Sequence, residues 1–432
     1  MLMSEKDFII VGQGLVGSIL ALTLEKFNKS FIVVDCVNET SSSKVSAGIL
    51  NPISFKRCIN SWKANVLNPF SISFYREANI KLKSNDFISL DMVRIFSSYE
   101  EQNIWHSKTG DNRYNLFLNS DFDLPKSNIV FPYGGGKVNS CGRLIVKDFL
   151  SSCFNYLNKK KAIIRVNSIQ KAIPKINGNY CVQNYKAKHI IYCEGLELLN
   201  NPIFNYLPII PNKGELLKIK CAELPNVLLS KGIFVLPNNS KNNFTIGATY
   251  DHKDKSKSPT RSAKIELLKK FNKIGDFNIK ITDQTVGFRP TTVDRRPLIG
   301  EHPVLKKSYV INGMGSKGVM MAPWLVNNLI RHIIFNDALE SEASIKRHEK
   351  KIKKENIEFA KERINSDFDY PSIDFNKTNH DFGEIVDGDI VETTFTFTNS
   401  GNSDLKILNA SGSCGCTVPE YPRDTPIKPG ES

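Results

Sequence analysis

At 432 residues the chain is too long for one small domain and matches two or three compact units. With 41% hydrophobic and 24% charged residues it can bury a sizeable core, which excludes a disordered or fibrous chain, and no apolar run approaches the roughly 18 residues of a membrane span. The formal charge of +14 is uneven: residues 364–432 carry 4 Lys/Arg against 12 Asp/Glu, a net of −8, so the first 363 hold 54 against 32, a net of +22. Such a break marks a boundary, and a basic body suits an anionic substrate or a nucleic acid.

The N-terminal run "DFIIV" is preceded by acids and followed at once by glycines, so it reads as a first strand and not as a signal peptide. Nine scattered cysteines, an odd number without framework spacing, fit a reducing compartment, and a cytoplasmic location is expected. The strand leads into "GQGLVG", a helix "SILALTLEKFNK" and a second strand "SFIVVD". Gly12, Gly14 and Gly17 therefore stand in G-x-G-x-x-G order between strand and helix, with Asp35 closing the next strand. The first glycine permits a tight turn, the second lets a pyrophosphate approach the backbone, and the third lets helix and strand pack closely. Leu15 and Val16 open the helix, whose free N–H groups and dipole favour phosphate, and Asp35 is placed to accept from a ribose. Together these features predict a dinucleotide site in a βαβ core.

Beyond it the chain alternates. "RLIVKDFLSSCFNYLNKKK" has helical spacing; "AIIRVNSIQKAI", "NYCVQ", "HIIYCEG", "GELLKIK", "GIFVLP" and "FTIGATY" read as strands, and "SAKIELLKKFNKI" as a helix. The order implies an α/β nucleotide-binding core interrupted by a mixed, β-rich substrate domain. A second glycine run, Gly313-x-Gly315-x-x-Gly318 in "NGMGSKGVM", again separates a strand from a helix, but no strand with a terminal acid follows it. It reads as a helix start facing a cofactor ring, with Ser316 and Lys317 in the turn. Residues 344–371 are dense in charges of both signs and predict a solvated helical linker. From 372 onward, polar residues alternate with β-branched and aromatic ones between Asp-Gly and Ser-Gly turns. This predicts a partial β-sandwich of only some 60 residues, against the roughly 100 that such sandwiches usually need.

Taken in order, these motifs resemble the FAD-dependent D-amino-acid oxidase/glycine oxidase superfamily over about residues 7–340. "SKVSAGILNP" resembles the stretch that passes the flavin there, with Ser46, Ala47 and Gly48 at the matching positions. "GRLIVKDFL" resembles the family's helix, and "YCEG" its strand end, with Gly195 matching and Glu194 unusual; Val166 falls at a cofactor-contacting position. "KGELLKIK", "FVLPNNSKNNFTIGATY" and "GFRPTTVDRRPLIG" resemble the substrate strand, the hairpin and the C-terminal pattern. The resemblance implies a glutathione-reductase-type Rossmann-like FAD domain (about 1–80, 140–210 and 285–343) interleaved with an α+β substrate domain (about 81–139 and 211–284). It implies non-covalent FAD, since the stretch 285–294 lacks the cysteine that attaches flavin in some relatives. Arg289 matches the arginine that pairs with a substrate carboxylate, a role suited to a planar fork of donors. Tyr250 stands where it lines the substrate face or packs in a strand. Asp294 and Pro297 hold a turn, while Arg295 and Arg296 match no family role.

The implied activity is oxidation of a C–N bond of an amino acid or secondary amine by hydride transfer to flavin N5, with imine hydrolysis and reoxidation by oxygen or another acceptor. A related oxidase acts on a modified wobble uridine of tRNA, and the basic body fits that alternative. Residues 372–432 resemble small immunoglobulin-like ASH/Hydin-type modules through "SCGCT" (Ser413–Thr417), implying an interaction or scaffold unit. Cys414 and Cys416 are too close for an ordinary disulfide. The seven histidines form no metal-spaced cluster, and no metal is expected.

Overall fold

The computed structural model describes all residues except 1–2, 37–41, 124–126, 167–174, 177, 366–372, 378–379, 384–390, 400–403, 408–409, 411–419 and 424. It divides into a unit of residues 1–173 and 180–360 and a second of 174–179 and 361–432.

In the large unit, β1 (Ser4–Val11), α1 (Leu15–Lys26) and β2 (Phe31–Cys36) form the opening βαβ element. There follow α2 (Ala64–Leu82), β3 (Met92–Ile95), α3 (Tyr99–Thr109), β4 (Gly135–Val138), α4 (Val146–Lys159), β5 (Ile163–Val166) and β6 (Tyr185–Tyr192). Next come β7 (Ile209–Lys220), β8 (Leu228–Ser230), β9 (Phe234–Pro237), β10 (Asn243–Gly247), α5 (Arg261–Phe271) and β11 (Lys280–Thr292). Last are β12 (Leu298–Glu301), β13 (Ser308–Asn312) and α6 (Gly318–Phe335); α7 (Lys354–Asn365) spans the division at residue 360.

Two sheets organise these elements. In the first, β5, β2, β1, β6 and β13 lie side by side and parallel, with β12 antiparallel to β13. A parallel sheet is covered on both faces, and β1 shows why its sequence is a continuous apolar run. Phe8 and Ile10 enter a core with α1, α2, α4 and α6, whereas Ile9 and Val11 enter the opposite core with Leu198, Phe204 and Tyr206. The buried set on α4 (Val146, Phe149, Leu150, Cys153, Leu157) has the spacing of one helix face. In α6, Pro323 supplies no N–H to the carbonyl of Val319, which instead accepts from the buried Tyr75 hydroxyl at 2.9 Å.

The second sheet runs β11, β7, β10, β9, β8, β3, β4, antiparallel throughout except β8 with β3. The domain boundary expected at residue 285 is corrected here. β11 pairs with β7 from Lys280 to Thr292, so Arg289 is carried by the substrate sheet and not by an FAD-domain segment. The solvated linker expected over 344–371 is also corrected for residues 345–360, while 366–371 lie outside the described residues. Ile345 and Ala360, 2% and 0% exposed, complete the second core of the parallel sheet, and Arg347 donates to Asp294 at 2.8 Å. Burying one isoleucine is worth roughly 1.5–3 kcal/mol, enough to hold such a segment down despite its charge.

In the small unit, Ile373–Phe375 pairs antiparallel with Phe397–Asn399, and Leu405 bridges Ile427. The buried Asn399 side chain donates to the Ile427 carbonyl at 2.8 Å. Ser413–Thr417, with Cys414 and Cys416, lies outside the described residues. Cys58, Cys141, Cys153, Cys193 and Cys221 are free thiols, and no described helix is long and apolar enough to cross a membrane.

Candidate active site

A cavity of about 1700 Å³ lies in the large unit, lined at one end by the carboxyl ends of the parallel strands and at the other by the second sheet. At the first end Gly12 has φ +98°, a value that favours glycine, and its N–H donates to the Val34 carbonyl at 2.8 Å. A Cβ on Gly12 would stand 2.8 Å from the Cys193 carbonyl oxygen, and one on Gly17 would overlap the Gly12 carbonyl. The turn is thus clamped between β6 and the start of α1. Gly14 caps α1 without a side chain, and Ser43 Oγ accepts from Leu15 N at 3.3 Å. Asp35 Oδ1 accepts from Gln13 N at 2.8 Å, which fixes the carboxylate at the cavity wall. Gly12, Gly14, Leu15, Val16, Asp35, Ser46, Ala47, Gly48 and Gly195 line the cavity. Gly17 and Gly313 stand behind the wall, and Val166, beside Cys36 on the neighbouring strand, is not among the lining residues. The bare turn, uncapped helix start, anchored acid and volume fit a dinucleotide.

Glu194 also faces this end. It is enclosed except toward the cavity and accepts from Asn201 Nδ2 at 2.7 Å. Burial pushes its pKa up to about 7, opposed by the Asn201 hydrogen bond and aided by Glu197. A folded-state pKa raised above 4.5 gives stability that is full below pH 4.5 and lost as pH rises through 7. Glu194→Gln should therefore gain thermal stability on the wild type between pH 4.5 and 8; parallel melting-temperature curves across that range would contradict this.

At the other end Arg289 lies half-buried in the cavity wall. Its Nη1 donates to Asn212 Oδ1 at 3.2 Å and to the Thr249 carbonyl at 3.3 Å, both neutral oxygens, so its positive charge is left for a ligand. Burial lowers its pKa from the ordinary value, with Tyr250 acting the other way. A Cβ on Gly214 would overlap the guanidinium, so that glycine provides the space in which the fork lies. Tyr250 stacks over it, 4.4 Å from Cζ to the ring centroid, and is 62% exposed. The alternative of a packed strand residue is thereby corrected: this tyrosine lines the cavity.

Gly315, Ser316, Lys317 and Gly318 line the cavity at the start of α6. Lys317 points neither to solvent nor to a free edge: its Nζ donates to the carbonyls of Asn51 at 2.6 Å and Ile53 at 3.2 Å. Burial lowers its pKa to about 8. Asp294 accepts from Arg296 N and Arg347 Nε, and Arg296 pairs with Glu342 at 2.9 Å, so this turn pins the segment after α6.

Sequence reasoning missed a buried network on β7. Asn212 and Gly214 face Arg289, and strand alternation sends Lys213 and Glu215 to the opposite side. Lys213, 1% exposed, donates to Asp254 Oδ2 at 2.6 Å, Ser256 Oγ at 2.9 Å and the Ser258 carbonyl at 2.8 Å. Glu215 accepts from Thr260 N and Oγ1 and from Gln284 Nε2 at 2.7–2.9 Å. Together they tie down the loop that carries Tyr250, Lys257 and Pro259 into the cavity wall. Lys213→Met would strand the Glu215 carboxylate, and urea denaturation should show a loss of about 3–5 kcal/mol, partly restored by adding Glu215→Gln. A loss below about 1 kcal/mol would show that the network holds nothing. The only signal in the sequence was two charges at alternate positions of a strand otherwise rich in apolar residues.

The sequence model of one family, described as FAD dependent oxidoreductase, matches residues 7–326. A second, described as a protein of unknown function (DUF1573), matches residues 373–432. The glycine oxidase of Pseudomonas aeruginosa is 29% identical over 136 residues, which cover 29% of this chain and 35% of that enzyme, well under half of its length. Among solved structures, glycine oxidase from Geobacillus kaustophilus superimposes with a TM-score of 0.64 at 17% identity, covering 80% of this chain and 98% of that one. L-proline dehydrogenase from P. horikoshii gives 0.63 at 16%, covering 78% and 95%. These likenesses concern the fold.

Proposed function

Since the chain belongs to the family of FAD dependent oxidoreductases, with FAD as its cofactor, we propose that it oxidises the C–N bond of an amine bearing a carboxylate, an amino acid or N-substituted glycine. The observation that carries this reading is the Arg289 guanidinium, half-buried in the cavity wall and, among the described residues, hydrogen-bonded to neutral oxygens. The relatives that resemble it include glycine oxidases, which supports the same class of substrate. Bound FAD supplies the two-electron acceptor. Gly12, Gly14, the α1 amides and Asp35 hold its nucleotide half; Ser46–Gly48 and Gly315–Gly318 border its other half. A non-covalent cofactor is part of this reading, since the stretch 285–294, where some relatives carry the flavin-attaching cysteine, has none. Arg289 and the Tyr250 ring above it fix the carboxylate and hence the reacting carbon, so the protein's share is orientation. The test is whether carboxylated amines reduce the flavin while their decarboxylated counterparts do not.

A second reading, in which the amine is borne on a modified wobble uridine of tRNA, is supported by the exposed Lys56 and Lys257 at the cavity's rim. Tight, salt-sensitive tRNA binding together with inertness toward free amines would favour it. Residues 372–432 are read as a separate interaction unit of immunoglobulin-like character, on the strength of their strand pattern and "SCGCT".

A further inference from the structure

The cavity does not end at Arg289. The second sheet runs β11, β7, β10, β9, β8, β3, and each of these six strands contributes to the wall. The Arg289 guanidinium lies over Gly214 on β7, and neighbouring strands are about 4.8 Å apart, so three steps carry this floor roughly 14 Å from it to the strand of Ser230. Its middle is apolar, made by Leu216 on β7 and Phe234 on β9, and Met92 extends the apolar surface on β3. Its far end is polar again. Arg94 and Ser230, 7% and 6% exposed, both line the cavity, and Arg94 Nη1 donates to Ser230 Oγ at 3.2 Å. The guanidinium lies 4.8 Å from the Phe55 ring, and its Nε donates to Glu101 at 2.7 Å. Glu101 neutralises Arg94, so this end is no second anion clamp. It does hold a donor in reserve: the Ser230 oxygen accepts from Arg94, while its own proton has no acceptor among the described residues. A buried hydroxyl polarised by a guanidinium and facing a cavity is suited to a neutral acceptor.

We propose that Arg94 and Ser230 form a second substrate subsite that takes a carbonyl or amide oxygen at the far end of a flat, apolar substituent on the amine. The proposal rests on the reading that Arg289 holds the substrate carboxylate. Ser230 donates to the oxygen, Arg94 holds Ser230 in place, and Phe234 and Met92 cover the body of the substituent. Glycine then fills only one end of the site.

The test compares N-benzylglycine with N-(4-carbamoylbenzyl)glycine and its 3-isomer on the FAD-loaded full chain. One readout is kcat/KM; a second is the dissociation constant from the saturation of the flavin-reduction rate in anaerobic stopped flow. The better carbamoyl compound should exceed N-benzylglycine by about 10-fold or more in both readouts, as expected for a hydrogen bond made in a desolvated site. Ser230→Ala should bring the ratio close to 1, and so should Arg94→Met combined with Glu101→Gln, which leaves no buried charge unpaired. A ratio near 1 in the wild type, or one unchanged in Ser230→Ala with its flavin spectrum intact, overturns the subsite alone, provided that glycine or sarcosine still reduces the flavin. A flavin reduced by no carboxylated amine at all overturns the Arg289 reading and the subsite with it.

Discussion

Replacing Arg289 with alanine is expected to leave FAD bound and to lower kcat/KM for carboxylate-bearing amines by about 30-fold to several thousand-fold. This corresponds to the roughly 2–5 kcal/mol lost when one partner of a desolvated charge pair is removed. Arg289→Lys should fall between the two, because an ammonium keeps the charge but not the planar fork, and it cannot stack on Tyr250 as a guanidinium does. Selectivity should change more than rate: amines without a carboxylate should lose little, so their ratio to carboxylated ones rises. Kinetics unchanged in Arg289→Ala for every carboxylated substrate would remove the basis of the proposed function.

The second large effect concerns the glycine turn. A methyl group on Gly17 would overlap the Gly12 carbonyl oxygen, and neither backbone segment has a flexible side chain that can yield. Gly17→Ala must therefore push α1 away from the β1 turn, distorting the amides that face the pyrophosphate. The expected product is a colourless protein with a lower melting temperature, overpacking of this kind costing about 1–3 kcal/mol or more. Gly14→Ala is the contrast. Its added carbon would lie 3.4 Å from Ser43 Oγ, an ordinary contact, so the apoprotein should keep its stability while FAD binds more weakly. Two variants with the same melting temperature and the same FAD affinity would show that the turn does not act in this way.

The features legible in the sequence were those that local spacing encodes. Gly12, Gly14 and Gly17, each at a fixed distance from strand and helix, predicted the turn because its geometry is set within a dozen residues. Arg289 was visible because a proline and a patterned neighbourhood surround it. Its support was not: Asn212 and Gly214 are brought beneath it by a register of β7 with β11 that spans more than 70 residues of chain. The Lys213–Asp254 contact depends on a loop whose path the sequence does not specify. High charge density makes 344–371 read as a solvated linker because it outweighs two isolated apolar residues, Ile345 and Ala360, that meet the core at a distance. The sequence places Lys317 in the turn before α6, but not the partners of its amine, the carbonyls of Asn51 and Ile53, some 265 residues earlier.

The most direct measurement is an anaerobic visible spectrum of the FAD-loaded full chain, recorded against paired compounds: glycine and methylamine, sarcosine and dimethylamine, proline and pyrrolidine, and D-alanine and ethylamine. Bleaching of the yellow flavin by at least one carboxylated member, with its decarboxylated partner inert, is the predicted result. A protein that takes up no FAD, or a flavin bleached equally by both members of a pair, would contradict it.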